Sequence, residues 1–97
     1  MADEEYNGWT NWDTWATYLW ATNDSAVYQR VHVPWVKNIK KKIDKPDYDH
    51  ARMVTAIKKY WGREALALAK KGGEDINSKK VNWDEITKAL ESEAREY

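Results

Sequence analysis

Trp9-Thr10-Asn11-Trp12-Asp13-Thr14-Trp15-Ala16-Thr17-Tyr18-Leu19-Trp20 is the stretch on which the fold turns. Asn11 is a good N-cap, because its side-chain oxygen accepts from a free amide of the first turn. Asp13 sits where the helix dipole favours a carboxylate. At about 100° per residue, Trp12, Trp15, Ala16, Leu19 and Trp20 fall within roughly 140° of arc, with Asp13, Thr14, Thr17 and Ala21 opposite. The spacing predicts a helix over 11–22 that hides a Trp-rich face. Upstream, residues 1–8 read as a short acidic tail ending in an Asn7-Gly8 turn.

Downstream, Asn23-Asp24-Ser25 ends this helix and caps a second over 25–32, in which Val27, Tyr28 and Val31 keep helical spacing. Pro34 has no N–H to donate and biases Val33 toward extended backbone, so it reads as a break and as the first turn of a helix over 34–43. There Trp35, Val36, Ile39 and Ile43 share one side and Lys37, Lys40 and Lys41 lie away from it. The alternation Val31, Val33, Trp35 also fits a short strand, ranked second. After the turn Asp44-Lys45-Pro46-Asp47, a long helix is predicted over 47–71. Its face is His50, Val54, Ile57, Trp61, Ala65 and Leu68, and Gly62 marks a kink or a close crossing. Gly72-Gly73 ends it, and a loop over 74–80 leads to a helix over 82–96. Asn82 caps that helix, Glu85 sits at the capping-box position and Val81 staples onto Ile86. Trp83, Ile86, Leu90, Ala94 and Tyr97 share its face. Thr10-Asn11-Trp12-Asp13 and Val81-Asn82-Trp83-Asp84 are alike, which is better explained as one way of starting a helix than as a duplication. The expected fold is all-α: one domain over 1–97, a bundle of four to five short helices around a Trp-rich core.

Composition narrows the function classes. With 42% hydrophobic and 33% charged residues in 97, the chain is globular and holds one modest core. Seven Trp and six Tyr with no Phe supply that core, and the same residue types dominate binding hot spots. The absence of cysteine excludes disulfides and thiolate-ligated metal. The start Met-Ala-Asp-Glu-Glu lacks an apolar segment, so no signal peptide is expected, and no apolar run approaches the ~20 residues of a membrane span. A cytoplasmic protein is the expectation. Net charge is zero, which argues against a general nucleic-acid coat. The charge is nonetheless zoned: residues 36–80 carry thirteen basic and six acidic side chains between acidic ends.

His32 and His50 are the two histidines. Asp47 and Asp49 near His50 are better read as helix-start residues than as metal ligands, and Glu91 and Glu93 as solvated flank residues. No nucleophile elbow, phosphate loop or metalloprotease helix occurs, so neither a cofactor nor catalysis is expected. Arg52, Lys59, Arg63 and Lys70 lie within about 40° on the wheel, and Lys37, Lys40, Lys41 and Lys42 cluster nearby. These eight are the candidate nucleic-acid contacts; the alternative is an ordinary solvent face. Trp9 and Trp20, at the margins of the predicted face, are the candidate protein contacts, and surplus aromatic surface makes a homodimer an option.

The stretch Tyr6-Asn7-Gly8-Trp9-Thr10-Asn11-Trp12-Asp13-Thr14-Trp15, continuing to Leu19-Trp20-Ala21-Thr22-Asn23-Asp24, resembles the N-termini of a family of small uncharacterised proteins of bacteriophages, plasmids and archaeal genomes. The matching motif residues are Asn7, Gly8, Asn11, Trp12, Asp13, Thr14, Trp15, Leu19, Trp20, Asn23 and Asp24. Many members end on a segment to which Val81-Asn82-Trp83-Asp84-Glu85-Ile86 is similar. The resemblance implies provenance in a mobile element working inside a host cell, and it carries no catalytic or ligand residues. The resulting expectation is a non-enzymatic protein that docks on a host or defence-system protein as a steric inhibitor. The alternative is a nucleic-acid-binding accessory protein.

Overall fold

A computed structural model describes residues 6–97. The expected acidic tail therefore falls mostly on residues 1–5, outside the described part. Its last residues form the expected turn: Tyr6 and Trp9 exchange both backbone hydrogen bonds at 2.8 Å. Asn7 (φ 49°) and Gly8 (φ 87°) take the positive φ angles that an Asn-Gly hairpin turn requires.

Four helices follow, so the all-α bundle holds. Helix α1 is Trp12–Asn23, capped by Asn11. Helix α2 is one continuous rod built from Ser25–Val27, a π-helical turn over Tyr28–His32, and Val33–Lys42. Helix α3 has the same construction: His50–Ala56, a π turn over Ile57–Trp61, and Gly62–Lys71. A single 3₁₀ turn, Ser78–Lys80, precedes helix α4, Trp83–Glu96.

Pro34 does not separate two helices, contrary to the sequence expectation, and Val31–Trp35 is helical rather than extended. The preceding π turn explains this. The N–H of Val33 reaches back five residues to the carbonyl of Tyr28, and this widened turn relieves the clash between the proline ring and the carbonyl of the preceding turn. Helix α3 begins at His50 rather than 47, because Asp49 is its cap and accepts from the Ala51 N–H at 3.0 Å. It ends as predicted: Gly73 (φ 88°) follows Gly72, and the Glu74 and Gly73 amides return to the Ala69 and Lys70 carbonyls.

The core is formed by Val36 and Ile39 of α2, Met53, Ile57, Trp61 and Ala65 of α3, and Trp83, Ile86, Leu90 and Ala94 of α4. Helix α1 turns a different side inward from the one its apolarity suggests. Of the expected face only Ala16 is buried; Thr14, Thr17 and Ala21 are fully buried with it, while Trp12, Trp15, Leu19 and Trp20 are half-buried. The reason is distance of approach. Helix α1 packs on the Gly62–Lys71 half of α3, whose buried residues are the small Gly62, Ala65 and Ala69, and small side chains let two helices come close. Thr17 satisfies its buried hydroxyl on the carbonyl of Asp13 at 2.7 Å, so it can stand in a core. Among the described residues no helix is long and apolar enough to cross a membrane.

Candidate functional site

Residues at the start of α1, Asn11, Asp13 and Thr14, hold the start of α4 and the segment before it. Asn11 Oδ1 accepts from the Thr14 amide at 2.9 Å and the Thr14 hydroxyl at 2.7 Å, and Asn11 Nδ2 donates to the Lys80 carbonyl at 2.8 Å. The Thr14 hydroxyl accepts from the Asn82 N–H at 2.8 Å, and Asp13 accepts from the Asn77 N–H at 2.9 Å. Asn82 caps α4 by accepting from the Glu85 N–H at 3.0 Å, as predicted. Glu85 does not complete a capping box on its own helix; it crosses to accept from the Thr10 N–H at 3.0 Å. The two similar helix starts are thus neighbours whose orphan amides are satisfied partly across the pair. At the other end of α1, Asn23 is the last helical residue, and Asp24 caps α2 by accepting from the Val27 N–H at 3.0 Å.

Both histidines lie between helices. His32 is fully buried. Its Nδ1 accepts from Trp61 Nε1 at 3.2 Å, which puts the ring proton on Nε2, 2.9 Å from Glu93. Tyr18 donates to the other Glu93 oxygen at 2.6 Å. Burial pushes the Glu93 carboxyl up, but the hydrogen bonds from His32 and Tyr18 outweigh it and leave the group below its ordinary range. Burial and the Glu93 bond raise the Tyr18 phenol. One side chain from each of the four helices meets here.

The second cluster joins the start of α3 to α4. His50 Nδ1 lies 2.7 Å from Glu91 and Nε2 lies 2.6 Å from Asp84. Two carboxylate acceptors favour the imidazolium, and the bond to Asp84, then that to Glu91, lifts His50 above its ordinary 6.5. His50 and then Lys88 hold Asp84 below the usual carboxylate range. Tyr48 donates to Glu91, and burial, followed by this bond, raises its phenol. Glu91 and Glu93 are therefore interior and half-buried partners, not the solvated flank residues expected from sequence. A carboxylate at the margin of the α4 face, set against two histidines elsewhere, was the available signal. Among the described residues no group of three or more His, Asp or Glu is arranged to hold a metal ion.

The eight candidate nucleic-acid contacts are all exposed, but they do not form one surface. Lys37 stands 6.0 Å over the Tyr97 ring. Lys42 and Arg52 line a cleft of about 430 Å³ with Lys45, Trp35 and the carboxylates Asp47 and Asp49, and Arg52 lies 3.8 Å from Asp49. Lys59, Arg63 and Lys70 line a different recess, a groove of about 650 Å³ along α3. The π turn over Ile57–Trp61, which holds Lys59, shifts the helical register after Arg52 and divides the stripe that an ideal wheel joins. Sequence reasoning missed Lys58, Leu66, Ala67 and Trp83, which complete the groove. Lys40 and Lys41 line neither recess.

The candidate protein contacts are half-buried against their own chain. The Trp9 ring lies 4.8 Å from that of Tyr18. Trp20 covers Gly72, where a Cβ would come within 2.4 Å of its ring, and its Nε1 donates to Glu74 at 3.2 Å. Trp15 carries Tyr6, with ring centroids 4.8 Å apart. The exposed large aromatics are Tyr6, Tyr28, Tyr60 and Tyr97.

These features define a small all-α bundle with polar clusters between its helices and open recesses on its surface. The chain belongs to a family of unknown function, DUF7249, whose sequence model matches residues 2–96. No curated protein and no solved structure matches it.

Proposed function

We propose that this chain is a non-enzymatic docking protein of a phage or related mobile element. It binds a host or defence-system protein in the cytoplasm and blocks it sterically. The observation that carries this reading is how the reactive groups are used. Both nitrogens of His32 and of His50 are bonded to other side chains. The groove along α3 is lined by apolar side chains, Lys, Arg, Thr and Ser, a composition suited to gripping a surface rather than moving protons. The mobile-element provenance is supported by the N-terminal motif alone. The test is capture: full-length chain immobilised in lysate of a candidate host retains one stoichiometric partner, and the purified pair re-forms with loss of the partner's activity. Repeated recovery of no stoichiometric partner, or a complex that leaves activity intact, overturns it.

A second reading, nucleic-acid binding, rests on the cleft that sets Lys42, Lys45 and Arg52 beside Trp35. Asp47 and Asp49 stand among those cations and oppose a phosphate backbone, which ranks it second. A salt-dependent gel shift abolished by Arg52→Glu and Lys42→Glu supports it, and no shift at low salt removes it.

A further inference from the structure

The groove along α3 has a composition that the docking reading leaves unspecified. Its lining includes four cations, Lys58, Lys59, Arg63 and Lys70, and no carboxylate. Among the described residues none of the four makes an ion pair. Glu64, the one acidic residue in α3, does not line the groove. The rest of the lining is Leu66, Ala67 and Trp83, with Thr55 and Ser78 as its uncharged polar members. The indole N–H of Trp83 is buried with no acceptor in the described chain, so the same residue carries an unsatisfied donor. From Thr55 to Lys70 the groove follows about four turns of helix, or about 22 Å.

We propose that this groove receives an amphipathic, acidic α-helix of the partner protein. Apolar residues of that helix rest on Leu66, Ala67 and Trp83, and its flanking carboxylates face Lys58, Lys59, Arg63 and Lys70. The proposal rests on the docking reading and specifies its occupant. Charge complementarity selects an anionic partner. The floor selects a helix over a nucleic acid: a phosphate backbone gains nothing from Leu66 and Ala67. Trp83 is only 8% exposed and has its six-membered ring edge against Gly62, so it offers no open face for a base to stack on. A helix laid along a helix matches the shape, with anchors repeating every three to four residues.

The experiment uses the full-length chain, isotope-labelled, with synthetic helical peptides of about 16 residues. One carries Leu and Ala on one face and Glu on the flanks, and its twins replace Glu by Gln or Lys. A short DNA duplex is the fourth probe. The Glu peptide is expected to bind at least about tenfold more tightly than the Gln twin at low salt. Amide shifts should be centred on 55–70 and Trp83. Lys59→Glu/Arg63→Glu/Lys70→Glu should lose that binding and gain the Lys twin. Because that triple variant risks distorting α3, Arg63→Gln/Lys70→Gln provides a milder loss in the same direction. Equal binding of the Glu and Gln peptides, shifts centred elsewhere, displacement of the peptide by duplex, or self-association through this face each overturns the proposal. The two readings fail separately. If a captured host partner is retained by the triple variant, docking stands and this groove falls. If the peptide binds as described but no host partner is ever captured, the groove stands and the docking reading falls.

Discussion

A glycine inside α3 shows how one residue sets a helix crossing. A Cβ at Gly62 would lie 2.5 Å from Cη2 and Cζ3 of Trp83, a ring that is itself buried. Alanine is worth about 1 kcal/mol more than glycine in a helix, yet here the clash must move a packed ring, at about 1–3 kcal/mol. Gly62→Ala is therefore expected to lower the urea midpoint, with a net loss of up to about 2 kcal/mol. In a Trp83→Leu background the same change should become neutral or stabilising, because the obstructing edge is gone. A loss of equal size in both backgrounds refutes the steric account. Thr14 is decided by hydrogen bonding instead. Its hydroxyl gives its proton to Asn11 and receives that of the Asn82 amide. Thr14→Val keeps the shape and strands the Asn82 amide, while Asn11 keeps the bond from the Thr14 N–H, so a cost of about 1–3 kcal/mol is expected, whereas Thr14→Ser should cost less than half of that. Equilibrium unfolding of the two variants compares them directly, and a larger loss in Thr14→Ser than in Thr14→Val would show that the methyl group rather than the hydroxyl matters.

At the scale of elements, capping chemistry was the legible part of the sequence. Asn11, Asp24 and Asn82 cap the helices they were assigned to, and Gly73 closes α3. Those signals are local: one side chain and the next three amides. Two things were not legible because they are not local. The π turns at Tyr28–His32 and Ile57–Trp61 insert a residue into an otherwise regular helix, which joined the segments around Pro34 and split the basic stripe at Arg52. Which side of α1 faces inward follows from packing on a half of α3 whose buried residues are small, Gly62, Ala65 and Ala69, and apolar periodicity carries no information about a partner's size. The candidate site inherits both effects: Lys59 within the second π turn and Arg63 and Lys70 after it line one groove, apart from Arg52 before it. The α3–α4 clamp adds a prediction of its own. Because the folded pKa of His50 is raised above 6.5, its contribution is complete below that pH and is lost as pH rises through the folded value. Unfolding free energies of the wild type and His50→Ala, followed from about pH 5 to pH 9, should differ most at the acidic end and converge toward the alkaline end. A constant or widening gap contradicts the assignment of an imidazolium between Asp84 and Glu91.

On the scale of the whole molecule, the four helices have one common point. Tyr18 of α1, His32 of α2, Trp61 of α3 and Glu93 of α4 are bonded in a chain, in which Glu93 holds Tyr18 and His32 through its two oxygens and His32 holds Trp61. A carboxylate in that position has opposite consequences for the two ends of the pH scale. Since its folded pKa lies below the ordinary 4.5, the stability it supplies is present above that value and is lost as pH falls through the folded one. Glu93→Gln keeps the size of the side chain but leaves one donor, from His32 or Tyr18, facing an amide NH₂. A loss of about 1–3 kcal/mol is expected near neutral pH, together with a flatter acid limb of the stability curve. The clamp of His50 on Asp84 and Glu91 and the shared amide partners at the starts of α1 and α4 tie the same helices together at further points. The loss should therefore appear in a single transition, with far-ultraviolet dichroism and tryptophan fluorescence moving together. Exposed Lys88→Ala, which removes only a surface pair 3.2 Å from Asp84, should change stability by less than about 1 kcal/mol. If Glu93→Gln instead separates the two probes, leaving helix content intact while the fluorescence shifts early, the cluster fastens only part of the bundle and the four-helix unit is less cooperative than its hydrogen bonds imply.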